Sequence, residues 1–302
     1  MIAHRLRLIL LFALLATPAS ASAAGPLGLR GIDLSTVLGL SDQARAVPEQ
    51  VKAADSAPRA LKQLKLIVLD PGHGGENQGA IGVAEIHEKY LTLELAYALR
   101  DQLQRAYPGT RVVLTRYWDM ELGLTERITM ANMMGADMFI SLHYNAAEHD
   151  RAVGVETYFL TTPEATPGEA QVAGEPVASV SATATGIHPH EAGEPAGTAH
   201  DPMLTLQRDL ERQRQHQRSG LLAETIQERL IARLPGVTDR GVKQANFGVL
   251  RGALMPAVVV EAGFVTHPRE GKKVVHDPHR KKVVTALVEA VEAFDAKLAA
   301  SN

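Results

Sequence analysis

Apolar positions along this chain follow two rhythms, and the way they alternate sets out an α/β fold. Leu66-Ile67-Val68-Leu69 is an unbroken apolar run that stops at Asp70-Pro71-Gly72, the pattern of a strand buried on both faces and ending in a loop. Leu91, Leu93, Leu95, Ala96, Leu99 and Leu103 then give a helical apolar face between Glu88 and Arg105, closed by Pro108-Gly109. The same reading predicts strands over Arg111 to Thr115, Met138 to Leu142 and Val153 to Leu160, with a helix over Leu124 to Met134. Strand, helix, strand, helix, strand at this spacing builds right-handed crossovers and a single α/β domain, a mainly parallel twisted sheet flanked by helices.

Beyond Leu160 the rhythm stops. Thr161 to about Ala199 is rich in Ala, Gly, Pro, Glu, Ser and Thr with hardly a large apolar residue, which predicts a mobile insertion. Helical spacing resumes from Met203 to Leu234, where the polar stretch Gln213 to Gly220 is expected to break the helix in two. Two strands, Phe247 to Leu250 and Ala257 to Glu261, and a helix over Lys281 to Leu298 complete the domain. No internal repeat is present.

The first residues have a different character. His4, Arg5 and Arg7 precede the apolar run Leu8 to Ala16, followed by Pro18 and the small-residue sites Ala19-Ser20-Ala21 and Ala21-Ser22-Ala23. This is the pattern of a secretory leader over 1–23, too short for a stable membrane span. It predicts export across the inner membrane into the periplasm, with no membrane anchor in the mature chain. Residues 24–62 read as a linker, with a short helix near Leu34 to Leu40, and 63–300 as the catalytic domain. The insertion, taken as 161–202, is a candidate regulatory segment.

Composition narrows the chemistry. The 302 residues include no cysteine, so the exported chain has no disulfide and any metal must be held by His, Asp or Glu. The formal charge is −3, and removing a leader that carries Arg5 and Arg7 lowers it by two, which argues against a nucleic-acid partner.

The candidate chemistry sits where strands end. His73 lies in Pro71-Gly72-His73-Gly74-Gly75, a turn without the Gly-Lys-Ser/Thr ending of a phosphate loop or the Gly-x-Gly-x-x-Gly dinucleotide spacing. His143 ends the strand Ser141-Leu142-His143, so two imidazoles are expected on one rim of the sheet, where ligands of such folds gather. Glu85, His87 and Glu88 compete for the third ligand position at the helix start, and Glu88 is the choice. Helix-start carboxylates also serve as dipole partners. Glu261 ends the apolar strand Ala257 to Val260 and is the candidate catalytic base, an ion pair with Arg251 or Arg116 being its structural alternative. Two imidazoles, one carboxylate and a second carboxylate suit a single catalytic Zn²⁺ with an open position and the base that activates its water. Asp70 either orients a ligating histidine or holds backbone amides of the loop. Arg127 and Asn132 are expected to brace the fold, and His188 and His190 to be solvated in the insertion.

Nine stretches in order over Leu66 to Leu298 make the chain resemble the zinc-dependent N-acetylmuramoyl-L-alanine amidases of bacterial cell walls, the amidase type 3 family. They are Val-Leu-Asp-Pro-Gly-His-Gly-Gly, Glu-Lys-x-x-x-Leu, Val-Leu-Thr-Arg, Leu-x-Glu-Arg, Ala-Asn, Ala-Asp-x-Phe-Ile-Ser-Leu-His-x-Asn-Ala, Gly-Val-Lys-Gln-Ala, Val-Leu-Arg-Gly and Met-Pro-Ala-Val-Val-Val-Glu-Ala-Gly-Phe. The resemblance implies zinc ligands at His73, Glu88 and His143 and a catalytic glutamate at Glu261. It also implies a peptidoglycan substrate, cut between N-acetylmuramic acid and L-alanine, and for regulated relatives a plugging helix withdrawn by a protein activator. Thr266-His267-Pro268 departs from the Thr-Asn-Pro common in relatives, and His267 is expected to crowd the site. Alternatives are a zinc peptidase acting within stem peptides, and a catalytically silent wall-binding module that keeps the fold. The second would normally lack a ligand or the base, and all four residues are present.

Overall fold

In the computed structural model the described residues are 59–83, 85–148, 151–161 and 202–301. The expected leader, the helix near Leu34 to Leu40 and nearly all of the insertion with His188 and His190 lie outside them. The described chain runs β1 (Leu66–Pro71), α1 (Glu88–Ala106), β2 (Arg111–Leu114), α2 (Leu124–Met134), β3 (Met138–Asn145), β4 (Val155–Leu160), α3 (Pro202–Arg233), β5 (Asp239–Ala245), a 3-10 turn (Gly248–Leu250), β6 (Ala257–Phe264), α4 (Glu270–Val274) and α5 (Asp277–Ala300). They build the expected α/β domain around one six-stranded sheet of order β2-β1-β3-β6-β4-β5.

Strands β2, β1, β3 and β6 run parallel, while β4 pairs antiparallel with β6 and parallel with β5. The reversal follows from chain length. The connection Ala146 to Gly154 is shorter than the roughly dozen residues a crossover takes, so β4 returns antiparallel and β6 is later laid between it and β3. As a consequence, the start of β4 reaches the same rim as the ends of β3 and β6.

Both faces are covered. Leu95, Leu99, Ile140, Leu142, Val260 and Phe294 belong to the core under α1, α3 and α5. Val68, Ile128, Phe139, Val259 and Leu250 form the core under α2 and the 3-10 turn. Burial on both faces is why β1 and the first half of β6 read as continuous apolar runs rather than alternating ones.

Two expectations are corrected, and one unexpected strand is added. Gln213 to Gly220 does not break α3, which is continuous over Pro202–Arg233. Its Gln and Arg residues are good helix formers whose polarity marks exposure and not an end, and Ser219 Oγ bonds back to the Gln215 carbonyl at 2.9 Å. The stretch Phe247 to Leu250 is no strand; it turns as a 3-10 helix to bury Val249 and Leu250. The strand of that region is β5, a polar sheet edge with one β-branched residue, whose extended form is set by pairing with β4.

The start of the domain is tied down by one carboxylate. Asp295 of α5, 4% exposed, accepts the amides of Lys62, Gln63 and Leu64 at 2.7, 2.7 and 2.9 Å. Asp295→Ala is expected to lower unfolding free energy by at least about 2 kcal/mol, the scale of hydrogen bonds to a buried charge, as read by urea titration.

Candidate metal centre

His73, Glu88 and His143 reach one another from three different elements: the loop after β1, the first residue of α1 and the end of β3. Their ligating atoms all lie within 4.8 Å of one another. His73 Nε2 is 3.0 Å from Glu88 Oε2 and His143 Nδ1 is 3.1 Å from Glu88 Oε1. The two rings meet edge to face at 4.8 Å between centroids.

Local backbone makes this convergence possible. His73 has φ 60°, followed by Gly74 at 127° and Gly75 at 62°, so three successive residues leave the usual right-handed regions and the chain doubles back within one turn. Histidine is among the few side chains enriched at positive φ. Gly72 is required for another reason: a Cβ there would sit 2.2 Å from His143 Cε1 and 2.3 Å from its Nε2. Gly72→Ala is therefore expected to push the His143 ring out of place and weaken metal binding by about 10- to 100-fold, as lost outer-shell support does, with the fold intact by circular dichroism.

Burial would raise the Glu88 carboxyl, but hydrogen bonds with His143 and His73 outweigh it and hold the group far below the ordinary carboxylate range. Both its oxygens are also fixed by backbone amides, Oε1 by Tyr144 at 2.9 Å and Oε2 by Ala80 at 3.0 Å. The carboxylate thus stays ionised and aimed. Of its competitors at the helix start, Glu85 is exposed in a turn at φ 56°, and His87 stacks edge-on against Tyr90 at 6.3 Å.

Asn77, which the sequence reading passed over, sets the tautomer of His73. Its Oδ1 accepts the Gly79 amide at 3.2 Å and lies 2.8 Å from His73 Nδ1. An oxygen that already accepts one proton identifies Nδ1 as the donor. Nε2 then faces the buried Glu88 Oε2 at 3.0 Å, bonding it through a proton in the charged ring and offering a lone pair when that proton is displaced. A divalent cation can take the place of that proton: His73, Glu88 and His143 bring their ligand atoms within 4.8 Å of one another, and the donor set of two nitrogens and an oxygen suits zinc.

Asp70 turns out to be a bracket for the loop. It accepts Thr115 Oγ1 at 2.6 Å, Ser141 Oγ at 2.7 Å and Arg127 Nη1 at 2.8 Å, side chains in place of the histidine ring or the loop amides expected of it. Arg127 braces as expected, donating also to the carbonyls of Pro71 and His73. Arg116 holds the carbonyls of Pro71, Gly72 and Lys89. Burial and the charge of Arg127 push its guanidinium down to about 10, still charged at neutral pH. Two arginines thus clamp the turn that bears His73.

Glu261 lies on β6 directly in register with His143 of β3 and, across the antiparallel pair, with Glu156 of β4. Register partners present side chains to the same face, so the imidazole and two carboxylates form one row. Glu156 is buried and engaged by Asn145, Arg240 and Lys243. Arg116 serves the turn and Arg251 bonds Asn246. His267 is outside both the ligand cluster and the cleft lining, and its Nδ1 accepts the amides of Arg269 and Glu270 at 3.3 and 3.0 Å. Asn132 braces α2 against Gly252 and Leu254. In front of the cluster opens a cleft of about 550 Å³, walled by Glu121 to Leu124 on one side and Ala245 to Val249 on the other, with His73 and His143 at its floor.

A mostly parallel sheet with two imidazoles and a carboxylate gathered at its carboxyl rim is the architecture of an α/β hydrolytic enzyme with a site fit for one catalytic metal. Residues 67–293 match the family of N-acetylmuramoyl-L-alanine amidases, and the chain belongs to that family. It is 31% identical over 272 residues to N-acetylmuramoyl-L-alanine amidase AmiA of Escherichia coli (strain K12), spanning 87% of this chain and 89% of that one. To AmiC of Neisseria meningitidis it is 29% identical, over 84% of this chain and 59% of the relative. Among solved structures, the N-acetylmuramoyl-L-alanine amidase of Clostridium difficile 630 superposes with a TM-score of 0.56 at 26% identity, covering 77% of this chain and 97% of that one.

Proposed function

We propose that this chain is a zinc-dependent N-acetylmuramoyl-L-alanine amidase. It hydrolyses the amide joining the lactyl group of N-acetylmuramic acid to the L-alanine of the stem peptide, releasing denuded glycan and free peptide. The observation that carries this reading is the meeting of His73, Glu88 and His143 within 4.8 Å, with Glu261 in register beside His143, in a member of the amidase family.

His73, Glu88 and His143 would hold one Zn²⁺. When bound, the ion supplies a Lewis acid that polarises the scissile carbonyl and acidifies water. The protein supplies the rest. The carboxylate of Glu261 takes a proton from the attacking water and returns it to the departing alanine nitrogen. Asn77 keeps the His73 proton on Nδ1, while Arg116 and Arg127 keep the turn from relaxing as charge shifts in the cleft. The walls at Leu122, Leu124 and Phe247 limit water around the bond.

The biological setting is read from the sequence. The leader over 1–23 supports export to the periplasm, and among the described residues no helix is long and apolar enough to cross a membrane. Domain 63–300 acts on septal wall during daughter-cell separation, and the insertion 161–202 restrains it until a protein activator binds. Among the described residues the cleft wall includes none from α3, so a plug would come from the segment before it. Deleting 161–202 is expected to raise activity on purified sacculi; unchanged activity contradicts autoinhibition.

Product analysis of digested peptidoglycan tests the reaction. Peptides with new L-alanine amino termini support the amidase. Cleavage inside the stem supports a wall peptidase in its place.

A further inference from the structure

The loop from β2 to α2 carries the chain's single tryptophan, and the fold spends several contacts on displaying it. Trp118 is 63% exposed. Its carbonyl is nevertheless pinned by Arg116 Nη1 at 3.2 Å and the Met120 amide at 2.9 Å. Next to it, the Tyr117 carbonyl accepts the Tyr97 hydroxyl, and the Tyr117 hydroxyl accepts the Leu114 amide at 3.2 Å. Asp119 on the other side accepts the Gly75 amide and Lys89 Nζ, both at 2.7 Å. The backbone is therefore fixed on both flanks while the indole stays in water. A ring held in this way loses little entropy when it is covered.

Its surroundings indicate what covers it. Tyr90, 44% exposed, packs its ring under Lys89 Nζ at 5.0 Å and places its hydroxyl 3.5 Å from the same Asp119 oxygen that Lys89 holds. Lys89 adjoins Glu88 of the metal cluster, and Glu121 of the same loop lines the cleft. Two exposed aromatic residues thus adjoin an exposed carboxylate, on a loop whose Glu121 lines the cleft. Among the described residues, the exposed charges of this loop and of the turn it abuts, Glu76, Asp119 and Glu121, are all acidic. A stem peptide, which carries free carboxylates, is disfavoured there. A pyranose is suited to it: its C–H face lies on an aromatic ring, and its hydroxyls donate to a carboxylate.

We propose that Trp118, with Tyr90 and Asp119, is a stacking subsite for a sugar ring of the glycan strand, placed so that the strand is gripped beside the amide being cut. The inference rests on the peptidoglycan reading above and adds which half of the substrate this rim takes.

Because Trp118 is the only indole, its fluorescence reports the site directly. Titrating the full-length, zinc-loaded protein with chitotetraose, a peptide-free glycan, is expected to give a saturable change in emission. Trp118→Ala is expected to raise KM on purified sacculi by at least about fivefold, the lower end of what loss of one aromatic stack costs. Met133→Ala, which removes an exposed side chain near the far end of α2, is expected to leave KM as it was. An emission that does not respond to millimolar chitotetraose, or responds instead to a free stem tripeptide, overturns the proposal. So does a Trp118→Ala KM no different from that of Met133→Ala. If chitotetraose binds at Trp118 but the unsubstituted chain frees no alanine amines from sacculi, the sugar subsite stands and the amidase reading falls.

Discussion

His143→Ala is expected to empty the metal site and abolish hydrolysis, with the fold unchanged. The ring is one of the three ligating groups that meet at the cluster, and its removal leaves a carboxylate and one imidazole, too few donors for a tight zinc site in water. The loss in affinity should exceed the roughly 10- to 100-fold that outer-shell changes cost. The strand itself has no need of the ring, because β3 is paired on both sides by its backbone. Plasma mass spectrometry of the dialysed protein should find one zinc per unsubstituted chain and almost none in the variant. A variant that keeps stoichiometric metal places the ion elsewhere.

Glu261→Gln separates binding from chemistry. The amide keeps the size of the side chain and its place in the row beside His143, so metal content is expected to stay at one per chain. A glutamine cannot take a proton from water, and kcat is expected to fall by about 10² to 10⁴, the range supplied by a positioned general base. The neighbouring Glu156 does not replace it, being buried and engaged by Asn145, Arg240 and Lys243. Loss of metal in this variant would make Glu261 a ligand, and retained turnover would move the base to another residue.

How much of this was legible in the sequence depended on what holds each part. The strands β1, β3 and β6 are buried on both faces, and α1 and α2 bury a stripe, so their apolar periodicity carried the signal, with each start as expected and the ends of β1, β3 and β6 two or three residues short. Elements whose form is set by a neighbour did not announce themselves. Edge strand β5 is polar and extends because β4 is beside it; the apolar Phe247 to Leu250 turns inward because the second core is beneath it. The exposed, polar middle of α3 looked like a break because periodicity measures burial and not helicity.

The site divides in the same way. His73, Glu88 and His143 could be chosen because ligating chemistry needs their residue types, and the structure brings the three together. Arg127 was expected to brace the fold and does, through the carbonyls of Pro71 and His73, but Asn77 acts through a tautomer and Arg116 through backbone carbonyls, which leave no mark in residue type. The sole hint of Asn77 was its place four residues after His73. Asp70 was read with two roles open, orienting a histidine or holding backbone amides, and its partners in space are neither: it takes the hydroxyls of Thr115 and Ser141 and the guanidinium of Arg127.

The most direct test of the account is anomalous diffraction from crystals of the zinc-loaded protein at the zinc absorption edge. The account predicts one strong peak per chain among His73, Glu88 and His143, at about 2.0–2.2 Å from two nitrogens and a carboxylate oxygen, with Glu261 outside that shell. A peak held by other residues, or none at this cluster in a protein that cleaves sacculi, would contradict it.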